Sequence, residues 1–93
     1  MQLALRQAHT GMRKSEGGPF GAVVVKNGVV ISKGHNQVLK TFDTTAHAEI
    51  VAIRKATRKL KTFNLGTCEL YTICEPCPMC LSAIFWARII YFL

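Results

Sequence analysis

Acidic residues are scarce in this chain: five Asp and Glu stand against twelve Lys and Arg, for a formal charge of +7 over 93 residues. Such an excess can mark nucleic-acid binding. Five of the twelve, however, fall at helical spacing in one segment (Arg54, Lys55, Arg58, Lys59 and Lys61). No aromatic residues interleave with them as they do on single-strand stacking platforms, so a solvated helix face accounts for the charge. Nucleic acid therefore stays a secondary expectation for a partner. No apolar run is long enough for a bilayer: the tail from Ala83 to Leu93 is short and carries Arg88. The start, Met1 to Gln7, lacks the sustained apolar core and cleavage site of a signal peptide. Repeats and low-complexity stretches are missing too. These absences lead us to expect a reducing, cytoplasmic setting with no membrane partner. There, four cysteines argue for metal or catalysis before disulfides.

What is present is apolar. Hydrophobic residues make up 49% and charged residues 18%, the balance of a compact chain, read here as one domain over residues 1–93. A domain of this length buries only roughly 60–65% of its unfolded surface, so some apolar content is expected to face a second subunit or a further stretch of protein.

Leu5, Ala8, His9 and Met12 mark a helix from Met1 to about Ser15, which Glu16-Gly17-Gly18-Pro19 would end. Ala22–Lys26 and Val29–Lys33 read as strands joined by Asn27-Gly28, a strong hairpin signal. The first strand lacks polar alternation and should be covered on both faces. A polar loop, Gly34 to Thr45, leads into a helix from about Ala46 to Lys61, with Ile50, Ile53 and Leu60 inward. A turn at Phe63–Gly66, a strand at Cys68–Ile73 and a helix opened by Pro78 and running to about Ala87 follow. That helix is apolar nearly all round and should be the most buried. Ile89–Leu93 reads as a last strand. Alternating helices and strands predict an α/β layered domain with a mixed sheet.

The chemistry gathers in Thr45-Ala46-His47-Ala48-Glu49 and Cys74-Glu75-Pro76-Cys77-Pro78-Met79-Cys80. Pro78 suits the first helical position and leaves Cys77 as N-cap. Cys77 and Cys80 then share a helical face, near enough for both sulfurs to hold one ion. The helix N-terminus should lower thiol pKa. His47 sits at the other helix start and can project beyond it. One nitrogen and two sulfurs leave a fourth position for water, the mark of a catalytic zinc site, and zinc lowers the pKa of such water to about 7. Glu49 is not explained as a capping-box residue, since Ala46 stands three before it. Beside a metal site it can move protons. H-x-E followed by P-C-x-x-C is the signature of zinc deaminases. The bland alternative is a closed zinc knot completed by Cys74 or Cys68, but it leaves His47-Ala48-Glu49 without a role. Cys68 and Cys74 read more simply as buried strand thiols, and His9 and His35 as surface or hydrogen-bonded residues.

With these motifs the chain resembles the cytidine and deoxycytidylate deaminase superfamily, and within it the bacterial guanine deaminase branch. Gly17-Gly18-Pro19-Phe20-Gly21-Ala22 and Trp86-Ala87-Arg88 strengthen the likeness. The resemblance implies a three-layer α/β/α fold around a mixed sheet, one zinc ion per chain and an active site at the interface of a homodimer. It also implies that Asn36 and the Ala48 backbone N–H contact the base, and that Phe20 and Trp86 shape or stack against it. From the residues alone, Asn36 is equally a turn former, and Phe20 and Trp86 could be core. Members of the branch continue past the last strand seen here, so the chain is expected to be the front part of a longer protein, its C-terminal strand and helices missing. The implied reaction is hydrolysis of guanine to xanthine and ammonia. Adenosine in a transfer RNA, guanosine or cytosine are the rival substrates. A zinc-binding fragment without turnover is the rival of another class.

Overall fold

The computed structural model describes residues 21–93. The expected N-terminal helix, His9, the Gly17–Pro19 loop and Phe20 lie outside them. Strands β1 (Gly21–Lys26) and β2 (Val29–His35) form the expected hairpin. Asn27 and Gly28 both take positive φ, 51° and 77°, as a type I′ turn demands. The register pairs Val25 with Val30 and Val24 with Ser32, which leaves Ile31 as a bulge residue. The bulge turns Ser32 inward, where its buried hydroxyl donates to the Ala52 carbonyl at 2.7 Å.

A one-turn helix, α1 (Val38–Thr41), interrupts the loop expected to be irregular, and β2 runs on through Gly34 and His35. Helix α2 (Ala48–Leu60), strand β3 (Glu69–Thr72), helix α3 (Pro78–Ala87) and strand β4 (Ile90–Phe92) complete the order. The sheet runs β2-β1-β3-β4, antiparallel up to β3 and parallel between β3 and β4. It is the mixed sheet of the expected α/β class. As the unbroken apolar run required, Ala22, Val23 and Val24 of central β1 are fully buried.

Two expectations about the helices need correction. Ile50 is buried as expected, but the centre of the inner face of α2 is Ala48, Ala52 and Ala56, all without exposed surface, and Ile53 and Leu60 pack only at its margins. The reason lies in β2. A Cβ on Gly34 would collide with the Ala48 carbonyl oxygen and stand 2.8 Å from the Ala52 nitrogen. Helix and strand backbones touch here, and only methyl side chains fit between them. Nor is α3 the most buried helix: only Cys80, Ile84 and Ala87 face inward, while Phe85 and Trp86 are 74% and 76% exposed. One stripe of a helix satisfies the core of this chain, and the rest of an all-apolar helix is left outward.

Candidate metal centre

The loop before α2 is tied from within. Asp43 Oδ1 accepts from the Thr45 backbone N–H at 2.9 Å and from the Thr45 hydroxyl at 2.7 Å, while Arg54 donates to Oδ2 at 3.2 Å. The Asp43 carbonyl takes the Ala46 N–H at 3.0 Å. Led by the hydrogen bonds from Thr45, these contacts hold the Asp43 carboxyl below its ordinary range. The clamp delivers His47 as N-cap of α2, with extended backbone (φ −70°, ψ 157°).

Cys77 is the N-cap of α3 with nearly the same backbone (φ −69°, ψ 169°), and Pro78 follows at the first turn as the sequence predicts. Neither N-cap side chain bonds to its own helix. They turn toward each other instead. His47 Nδ1 lies 3.6 Å from Cys77 Sγ and 3.7 Å from Cys80 Sγ, and the three donor atoms fall within 4.8 Å of one another. Zinc with Zn–N of roughly 2.0–2.1 Å and Zn–S of roughly 2.3 Å at a tetrahedral angle separates nitrogen and sulfur by about 3.6 Å. The donor set therefore fits zinc. Ligation through Nδ1 requires the imidazole proton on Nε2.

Burial, and after it the negative charge of Glu49, pushes the Cys80 thiol far above its usual range. The depression expected from the helix N-terminus is thus outweighed at Cys80, since a buried sulfur beside a carboxylate resists a second negative charge. A cation among the three donors reverses that balance.

Glu49 is buried in the first turn of α2. It lines a cavity of about 210 Å³ with Asn36, His47, Cys74, Glu75 and Cys77. The carboxyl, the imidazole and one ligand sulfur thus share a single opening. Asn36 stands in its wall, and its Oδ1 accepts the Val38 N–H at 3.0 Å, so the turn-former reading and the cavity reading hold together. Ala48 is the first residue of α2, where a backbone N–H has no acceptor within its own helix. Trp86 is not brought to this cavity. Six residues beyond Cys80 at about 100° per residue, it points away from the ligand face and lies with Phe63, Phe85 and Arg88 around a separate cavity.

Cys74 is not the buried strand thiol the sequence predicts. It follows the end of β3, half-buried, in the cavity wall. It does not join the cluster of His47, Cys77 and Cys80 among the described residues. Cys68 is buried, just before β3 begins. His35 is buried at the end of β2 and stands apart from the metal cluster. Glu75 stands in the motif the sequence singles out but received no role there. Its position two residues before the ligand Cys77 was the available signal that it would stand near the metal donors. The basic residues Arg54, Lys55, Arg58, Lys59 and Lys61 are exposed along and just beyond the outer face of α2. No helix among the described residues is long and apolar enough to cross a membrane.

Residues 1–92 match the cytidine and deoxycytidylate deaminase zinc-binding region. Guanine deaminase of Bacillus subtilis (strain 168) is 53% identical over 88 residues, covering 95% of this chain and 56% of that protein. The tRNA-specific adenosine deaminase of Aquifex aeolicus (strain VF5) is 48% identical over 89 residues, 96% of this chain and 58% of the relative. The chain thus spans little more than half the length of either. The solved structure of the Bacillus subtilis guanine deaminase superposes with a TM-score of 0.92 at 51% identity, over 98% of this chain and 60% of the other. A solved tRNA:A34 deaminase gives the same TM-score at 44% identity, over 96% of this chain and 68% of the other.

Proposed function

Because this chain belongs to the cytidine and deoxycytidylate deaminase family, whose zinc-binding region it carries from residue 1 to 92, we propose that it serves the hydrolytic deamination of a nucleobase, guanine to xanthine and ammonia. One observation carries the reading: a buried carboxyl, Glu49, opens on the same cavity as a donor set of one nitrogen and two sulfurs.

His47, Cys77 and Cys80 would hold the zinc ion, which when bound supplies the Lewis acidity that makes water a nucleophile near neutral pH. Glu49 accepts the proton that the attacking water gives up as its oxygen bonds to the amine-bearing carbon. The same carboxyl passes that proton to the adjacent ring nitrogen. It then takes the proton of the hydroxyl newly bonded to that carbon and gives it to the amine nitrogen, so that the C–N bond breaks, ammonia leaves and the carbon keeps a carbonyl oxygen. Asn36, from the cavity wall, and the Ala48 N–H, at the start of α2, hold the base in register.

The cavity supports a small substrate. At about 210 Å³ it lies below the roughly 300–1,000 Å³ of sites for drug-sized ligands, which suits a single base. No lysine or arginine lines it among the described residues. The exposed apolar side of α3, Phe85 and Trp86 with Leu81, forms the face of a homodimer in this reading. Four unpaired cysteines suit a reducing, cytoplasmic setting.

A second reading keeps the chemistry and takes adenosine in transfer RNA as substrate. The exposed basic residues of α2 and the 48% identity to a tRNA-specific adenosine deaminase favour it. The two separate in one assay: ammonia release from guanine, guanosine, adenosine, cytosine and transfer RNA by the zinc-loaded chain and by a longer form. Release from guanine above all others is expected. Release from transfer RNA alone, with binding that weakens steeply as salt rises, would favour the second reading. Stoichiometric zinc with no ammonia from any of them would leave a metal-holding fragment.

A further inference from the structure

The cavity wall contains a second carboxylate that the proposed reaction leaves unused. Glu75 is exposed at the cavity, in the turn between β3 and α3. It is held from outside that turn: the Tyr91 hydroxyl, on β4, donates to Glu75 Oε1 at 3.1 Å. Among the described residues the other oxygen, Oε2, has no hydrogen-bond partner. No lysine or arginine among the described residues lines the wall to neutralise it. Asn36, in the same wall, accepts the Val38 N–H at its carbonyl oxygen, which fixes the amide and leaves its NH₂ group as a donor.

Among the described residues the wall thus offers an amide N–H donor at Asn36 and an anionic acceptor at Glu75, besides Glu49. A ligand that answers both brings a lone pair to Asn36 and an N–H to Glu75, and carries no phosphate there, because a carboxylate repels one. We propose that Glu75 determines specificity by accepting a hydrogen bond from a ring N–H of the base, and that Tyr91 is the positioning residue that aims it. This inference rests on the deaminase reading and deepens it. A base with an N–H at the contacted edge is selected over one with a lone pair there, which a fixed carboxylate disfavours.

The test is equilibrium binding to the zinc-loaded full chain carrying Glu49→Gln, which lets a base bind without being consumed. Guanine, adenine and cytosine are titrated, and the base bound most tightly is carried forward with its ring N-methyl derivatives. Adding Glu75→Ala is expected to weaken that base about tenfold to a hundredfold, the usual effect of losing a hydrogen bond to a charged group. Glu75→Gln, which keeps the shape, should weaken it less. Methylation at the contacted nitrogen should harm binding to the parent and add nothing once Glu75 is gone. Tyr91→Phe should narrow that discrimination while zinc content stays unchanged. Equal affinity with and without the Glu75 carboxylate, or a methyl penalty that persists in its absence, overturns the proposal. A preferred base other than guanine that still depends on Glu75 removes the guanine reading and keeps this one. No binding of any base to the parent removes both.

Discussion

His47 and Cys77 hold the same place in two different helices: each is the N-cap residue, and Nδ1 of the first lies 3.6 Å from Sγ of the second. Helix ends braced by a core are rigid mounts, so the donors sit at metal-binding separations without side-chain rearrangement. Substituting His47→Ala or Cys77→Ser should abolish stoichiometric zinc after dialysis against a weak chelator. Cys74→Ser, outside the cluster, should leave zinc content unchanged. Metal analysis of the three variants checks this.

Glu49→Gln keeps the volume of the side chain and removes its ability to take a proton. Ammonia release is expected to fall by about 10²–10⁴, the usual contribution of a general acid–base group. Zinc content should be retained, since the ligands are untouched. Retained turnover would reject the proton role.

Gly34→Ala pushes a methyl group into the backbone of α2, where Ala48 and Ala52 leave no room. Both obstructing atoms are backbone, so the helix itself must shift. A loss of about 1–3 kcal/mol is expected in denaturant unfolding, the usual range for overpacking. Zinc affinity should weaken with it, because His47 rides on the same helix. An alanine variant of undiminished stability would contradict the close approach.

Asp43 is a half-buried carboxyl whose titration follows from its contacts. Its pKa is lowered, first by the hydrogen bonds from Thr45 and then with help from Arg54. A depressed folded value means a contribution to stability that is present above the ordinary carboxylate range and lost as pH falls through the folded value. Asp43→Asn should therefore unfold more easily than the parent near pH 7, and the gap should close on acidification. Screening at the surface keeps the gap small. Chemical unfolding of both proteins across that pH range checks the sign.

The apolar side of α3 gives a prediction about assembly. Phe85 and Trp86 meet edge to face at 5.9 Å and expose most of their surface. The double substitution Phe85→Ser, Trp86→Ser should shift sedimentation toward monomer while zinc content is kept. A monomeric parent would remove the homodimer from this account, and an unchanged dimer in the variant would place the interface elsewhere.

Much of this architecture was legible in the residues. Asn27-Gly28 could scarcely be anything but a tight hairpin turn, and the unbroken Ala22–Val25 run had to be central. The metal trio was legible because Pro78 fixes a helix start and so fixes where Cys77 and Cys80 point. Other features depend on distances between segments far apart in sequence. Nothing local to Gly34 tells that α2 will lie on it. Hydrophobicity alone does not reveal which side of α3 meets the core, so the burial of that helix was overestimated. Cys74 was read as a strand thiol because the strand was expected to run to Ile73, whereas β3 ends at Thr72 and leaves Cys74 and Glu75 in the turn beside the cavity.

The most direct measurement is X-ray absorption at the zinc edge of the loaded full chain. The expected shell has two sulfurs near 2.3 Å and two lighter atoms near 2.0–2.1 Å, one from His47 and one from solvent. A shell with three or more sulfurs would mean that another cysteine has closed the position where water must react. That result would contradict a hydrolytic site.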